Sequence, residues 1–209
     1  NWDIDWRAEG LGERTSGAST AVFNKVPRFF GAPPVHLHRS AVLQWRAIRA
    51  QAQGWKNIYR VPMIDPLGFD YLAAAGALAG TGVPFSTGAR FSTGPGFAYV
   101  PVATSVGAHA VGATEITLDV ASCGVAIRQG QIMGVGHWPF MVTGIVSLSG
   151  SETTITIQLP LRAALRDGDP VQMEGVGLFE AIEQGMGNPE YTRNHTARPT
   201  LLFQEVLNR

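Results

Sequence analysis

The chain has a single cysteine, Cys123, so no intrachain disulfide forms and packing alone must hold its framework. Charged residues make up only 15% of the sequence, against about 25% in an average protein, and the formal net charge is zero. A protein without a positive field is a poor candidate for direct nucleic-acid binding, which rests on neutralising phosphates. Only Lys25 and Lys56 are lysines; the other basic residues are arginines, whose planar, weakly hydrated forks are favoured at interfaces. Long apolar runs are also missing. The stretch Tyr71–Ala79 is interrupted by Gly76 and falls well short of the ~18 residues that span a bilayer, so no membrane insertion is expected. No signal-peptide pattern is visible, and the sequence begins at Asn1 instead of Met, which fits a processed or renumbered start.

What is present is turn-forming and β-forming. With 25 glycines, 13 prolines and 45% hydrophobic residues, the chain reads as folded and mainly β. One helix stands out, Ala41–Gln53, with Ser40 as a suitable N-cap and Gly54 at C′. Val42, Trp45, Ile48 and Ala52 form its apolar stripe. Strands are expected at Thr20–Val26 and Asn57–Met63, and a hairpin or ribbon of tight turns at Gly80–Gly96. There Phe85-Ser86-Thr87-Gly88 recurs as Phe91-Ser92-Thr93-Gly94.

Period-2 alternation is cleanest between Gly107 and Glu174. Ile116, Leu118 and Val120 share one parity, as do Ile155, Ile157 and Leu159. Phe140, Val142, Val146 and Leu148 fall on a longer, bent strand around Gly144, and Gln131–Val135 and Val171–Glu174 are shorter. Five strands of this length fit a small barrel, which closes its own edges. The segment Gly175–Asn194 reads as a loop or ribbon, and Ala197–Leu207 as a final strand apolar on both faces. The expected architecture is therefore a β-sandwich scaffold (1–106 and 175–209) with one helix and a β-hairpin. A five-strand barrel-like module (107–174) is inserted into it.

Candidate chemistry is thin. His36 and His38 would share one strand face, but a third metal ligand must come from His109, His137 or His195, far away in sequence. Glu180 and Glu183 would share a helix face and could serve glycoside hydrolysis, whereas Asp167 and Asp169 sit in a turn-like segment. Cys123 has no nearby basic partner and reads as a packed residue. Asn194-His195-Thr196 matches a glycosylation sequon. No catalytic residue, cofactor or metal site is assigned, and no enzymatic activity is expected. The residues fitted to subunit contact or surface recognition are Trp2, Trp6, Phe85, Phe91 and Trp138. Trp138, beside Pro139, is the best placed to stack on a sugar.

Several phrases together resemble the distal tail proteins of long-tailed bacteriophages and of gene transfer agents. They are Val42-Leu43-Gln44-Trp45-Arg46-Ala47-Ile48 through Ile58-Tyr59-Arg60-Val61, Gly82-Val83-Pro84-Phe85-Ser86, Gly112-Ala113-Thr114-Glu115-Ile116-Thr117-Leu118 and Leu159-Pro160-Leu161-Arg162-Ala163-Ala164-Leu165-Arg166-Asp167-Gly168-Asp169. The resemblance implies a structural subunit of the virion tail tip, made in the bacterial host cytoplasm. It implies a homohexameric ring joining the tail tube protein to the hub or baseplate protein, with a peripheral β-domain facing tail fibres or a host surface glycan. A carbohydrate-binding module for host-surface attachment is the alternative.

Overall fold

A computed structural model describes residues 2–7, 9–13, 19–22, 26–54, 56–76, 81–183, 185–188, 190 and 196–207. The chain is mainly β, and it divides into two compact units: residues 1–61 with 178–209, and residues 62–177.

The first unit draws on both parts of the chain. Its strands are β1 (Trp2–Asp5), β2 (Glu9–Glu13), β3 (Ser19–Val22), β4 (Arg28–Gly31), β5 (Leu37–His38) and β6 (Tyr59–Pro62), with helix α1 (Ser40–Ala52) between the last two. Late in the chain come β13 (Val176–Ala181), β14 (Thr196–Ala197) and β15 (Phe203–Glu205). Five of them form one sheet in the order β1-β4-β15-β13-β6; β2 with β3 and β5 with β14 form two-strand ribbons. Among the described residues, the expected sandwich is thus one five-strand sheet with two ribbons. Strand β15 lies between β4 and β13, and Leu201, Phe203 and Glu205 turn inward from the final segment while the residues between them are half-buried. That segment is two short pieces instead of one strand, since Arg198-Pro199 follows β14 and proline supplies no ladder donor. Across β1 and β4, Asp5 faces Arg28 in register, and their side chains approach to 3.5 Å.

Helix α1 begins one residue earlier than its sequence pattern predicts. Ser40 is already helical, and Arg39, at φ 44°, precedes it without a side-chain cap. At the other end Gln53 takes the left-handed conformation and closes onto Arg49 O. Val42 and Ala52 are buried and Trp45 half-buried, whereas Ile48 is exposed, so the buried stripe is narrower than expected. Trp45 and Arg49 fasten the helix to the turn at 185–188. The Trp45 indole donates to Gly187 O at 2.7 Å, and Arg49 Nε donates to Met186 O at 2.9 Å. Gly187 is needed there: φ is +70°, and a Cβ would lie 2.6 Å from the Trp45 ring.

The second unit holds a short helix, α2 (Tyr71–Ala75), and six strands: β7 (Val102–Ser105), β8 (Glu115–Asp119), β9 (Ile132–Val135), β10 (Trp138–Ser149), β11 (Glu152–Gln158) and β12 (Pro170–Gln172). Asp70 caps α2 by accepting from Leu72 and Ala73 N–H. The strands close into an antiparallel barrel in the order β10-β11-β8-β7-β12-β9. Closure removes the sheet edges that a chain with few charges has little means to protect. The core is the inward alternation of these strands, with Ile116, Leu118, Ile155 and Ile157 from β8 and β11 and Met133, Phe140 and Val171 from β9, β10 and β12. Each such side chain contributes about 2 kcal/mol by leaving water.

The barrel has one strand more than the five expected. Strand β7 precedes Gly107, and the compact unit begins at Pro62. Strand β10 also differs from a single-parity strand. Register shifts at 142/144 and 145/147 carry it from a buried half, with Phe140 and Val142, to an exposed half, with Val146 and Leu148.

Candidate functional site

The pair Glu180 and Glu183 does not share a helix face, because β13 occupies the segment expected to be a loop or ribbon. Glu180, on that strand, accepts a 2.6 Å hydrogen bond from Gln204 Nε2; Glu183 lies beyond its end and is exposed. Glu183 lines a cleft of about 310 Å³ with Met186, Asn188, Glu190, Arg198 and Thr200, and Glu180 is not part of that lining. The two carboxylates therefore do not flank one cleft, which acid–base cleavage of a glycosidic bond requires. Asp169 accepts Arg166 N–H at 2.7 Å, the local bond expected of a turn aspartate, whereas Asp167 accepts Gly107 N–H at 2.7 Å from a loop far away in sequence. Cys123 is wholly buried in the barrel core, and burial pushes its thiol up. Tyr99 Oη donates to Cys123 O at 2.9 Å, and burial likewise raises the phenol.

The histidines are dispersed. His36 and His38 are both exposed, and His38 pairs with Thr196 across the β5–β14 ribbon. His109 belongs to the barrel: Thr117 N–H donates to its Nε2 at 3.3 Å, and Val106 O lies 3.2 Å from the same atom. His137 sits in the β9–β10 turn. Among the described residues no three His, Cys, Asp or Glu side chains come together as a metal site. His195 and the sequon residue Asn194 lie outside the described residues.

The aromatic candidates have four different fates. Trp2 is half-buried on β1. Its ring centroid is 4.9 Å from that of Phe179, and it lies directly on Gly31, where a Cβ would collide with the indole. Trp6, just past β1, is exposed. Trp138 opens β10 half-buried, and the Arg162 guanidinium stands 5.1 Å from its ring centroid, covering a face that a sugar would use.

Phe85 and Phe91 come together, with a third ring that the repeat concealed. Gly88 N–H donates to Phe85 O and Phe85 N–H to Ala89 O, both at 2.8 Å; Gly94 to Phe91 O and Phe91 to Pro95 O repeat the pattern at 2.8 and 3.1 Å. Each Phe-Ser-Thr-Gly unit is therefore a four-residue β-turn closed by a glycine, with φ +80° at Gly88 and +100° at Gly94. The ribbon of tight turns is as the sequence predicts. The Val83–Phe97 bridge closes its base, and Phe97 stands six residues after Phe91, as Phe91 does after Phe85. The three rings pack edge to face, with centroids 5.0 to 5.2 Å apart. All three remain substantially exposed, at 39, 42 and 49%.

No protein-family model and no curated protein matches the chain.

Proposed function

We propose that the protein is a structural, non-enzymatic subunit of a phage tail tip, forming a homohexameric ring between the tail tube and the hub or baseplate. The observation that carries the reading is topological. The sheet takes β1, β4 and β6 from the first part of the chain and β13 and β15 from the last, and the closed barrel is spliced between β6 and β13. The resemblance to distal tail proteins implies a β-scaffold carrying a peripheral β-domain; here that domain is inserted into the scaffold, whereas in many members of that family it is appended. The zero net charge puts little long-range repulsion between copies, which suits a subunit that must meet itself repeatedly.

In this reading the chain works by presenting surfaces. A closed ring needs two complementary patches on every subunit, and the barrel is left as the part that faces fibres or the host. Native mass spectrometry of the purified protein tests the stoichiometry: a six-copy species is expected, and a monomer at every concentration rejects the reading. The rival, a carbohydrate-binding module using Trp138, has the Arg162 guanidinium against it. Glycan-array binding that disappears in Trp138→Ala would reinstate it.

A further inference from the structure

The 310 Å³ cleft lies within the first compact unit and is built by backbone hydrogen bonds. Ile182 N–H donates to Leu202 O at 3.1 Å and Gly187 N–H to Thr200 O at 3.0 Å, which joins the turn after β13 to the segment before β15. The turn is closed on itself by Met186 N–H on Glu183 O at 3.1 Å and Asn188 N–H on Gly185 O at 3.3 Å. Arg49 of α1 ties it further. Besides Met186 O, its guanidinium reaches Asn188 Oδ1 at 3.2 Å and Gly185 O at 3.4 Å, so this cation is engaged by the frame. A cleft fixed in this way is formed before any ligand arrives, as small-molecule sites of this volume are.

The lining carries both signs of charge. Glu183 and Glu190 bring carboxylates and Arg198 a guanidinium. All three are exposed, and among the described residues no ion pair or side-chain hydrogen bond engages any of them. Asn188 Oδ1 already accepts from Arg49, which leaves the amide N–H groups of Asn188 to donate. Met186 and Leu202 supply the apolar part, one buried and one half-buried. No aromatic ring is among these lining residues, so the platform on which a sugar would stack is missing.

We propose that this cleft binds a free α-amino acid with an aliphatic side chain. The ammonium is taken by Glu183 and Glu190, the carboxylate by Arg198 and the Asn188 amide, and the side chain by Met186 and Leu202. Carboxylates that receive an ammonium and a guanidinium that receives a carboxylate form charge-assisted hydrogen bonds, and only a ligand with both groups satisfies both ends. The inference does not depend on the ring reading.

Equilibrium dialysis of the full chain against radiolabelled L-leucine tests it. Saturable uptake of one molecule per chain is expected, with no displacement by N-acetyl-leucine, which lacks the ammonium, or by leucinamide, which lacks the carboxylate. Glu183→Gln and Arg198→Met should each weaken binding by about tenfold, the size of one lost charged contact. Both side chains are exposed, so unchanged circular dichroism should verify folding, and Glu152→Gln on the barrel should leave binding as it is. Absence of saturable uptake up to about 10 mM overturns the inference. So does displacement by either blocked analogue, full binding in either cleft variant, or weakening by Glu152→Gln.

Discussion

Glu205 is a charged side chain with no exposed surface, and its position explains how β15 joins β4. Register pairs run Phe203 with Gly31 and Gln204 with Phe30; the Glu205 carboxylate then accepts Phe29 N–H at 3.0 Å, prolonging the junction with a side chain. Glu205→Ala should cost about 2–3 kcal/mol, because it strands a buried donor, and Glu205→Gln should cost less because it keeps an acceptor. Urea unfolding of the two variants measures the difference. Gln131 plays the same part in the barrel, accepting Arg128 N–H at 3.0 Å and donating to Met173 O at 2.8 Å. Gln131→Ala should lower stability by about 2 kcal/mol in the same measurement. Glu174 acts in the other direction. Burial raises its carboxyl above the ordinary 4.5, so the folded state holds this proton more tightly than the unfolded state. Stability is therefore lost as pH rises from 4.5 through the raised value, and Glu174→Gln should raise Tm at pH 7 while changing little at pH 4. Equal shifts at the two pH values would contradict this assignment.

Elements were legible in the sequence where large apolar residues marked the buried face. Strands β8 and β11 follow the alternation of Ile116 and Leu118 and of Ile155 and Ile157, and α1 lies within a residue of its expected span. Two of the unpredicted strands, β7 and β13, were hidden for a common reason. In β7 the inward residues are Ala103 and Ser105, and in β13 they are Gly177, Phe179 and Ala181, so small or polar side chains occupy most of the buried face. The second half of β10 misled in the opposite way, since Val146 and Leu148 are apolar yet exposed beyond the bulges. Of the aromatic candidates, Phe85 and Phe91 stood at equivalent positions of the four-residue repeat, but the repeat did not report that their rings pack together. Phe97 itself was concealed, because the repeat's Ser-Thr-Gly is missing after it and only the spacing of six persists. The covering of Trp138 by Arg162 depends on a contact distant in sequence, which no local pattern reports. The turns themselves should be sensitive at Gly88 and Gly94: alanine at either positive-φ position should cost about 1 kcal/mol and loosen the ring cluster. NMR ring-current shifts of the phenyl protons would then move toward random-coil values.

For the molecule as a whole, the division of labour follows from where each unit buries its apolar surface. The barrel closes on its own core, whereas the sheet collects strands from widely separated parts of the chain around Phe29, Phe179 and Phe203. What these units do when copies meet is the ring proposed above. Electron microscopy of the purified protein, and of the particle that carries it, tests that ring most directly. A six-fold ring with a central lumen at the end of the tail tube is expected; a monodisperse monomer in solution, with no such ring in the particle, overturns the ring proposal.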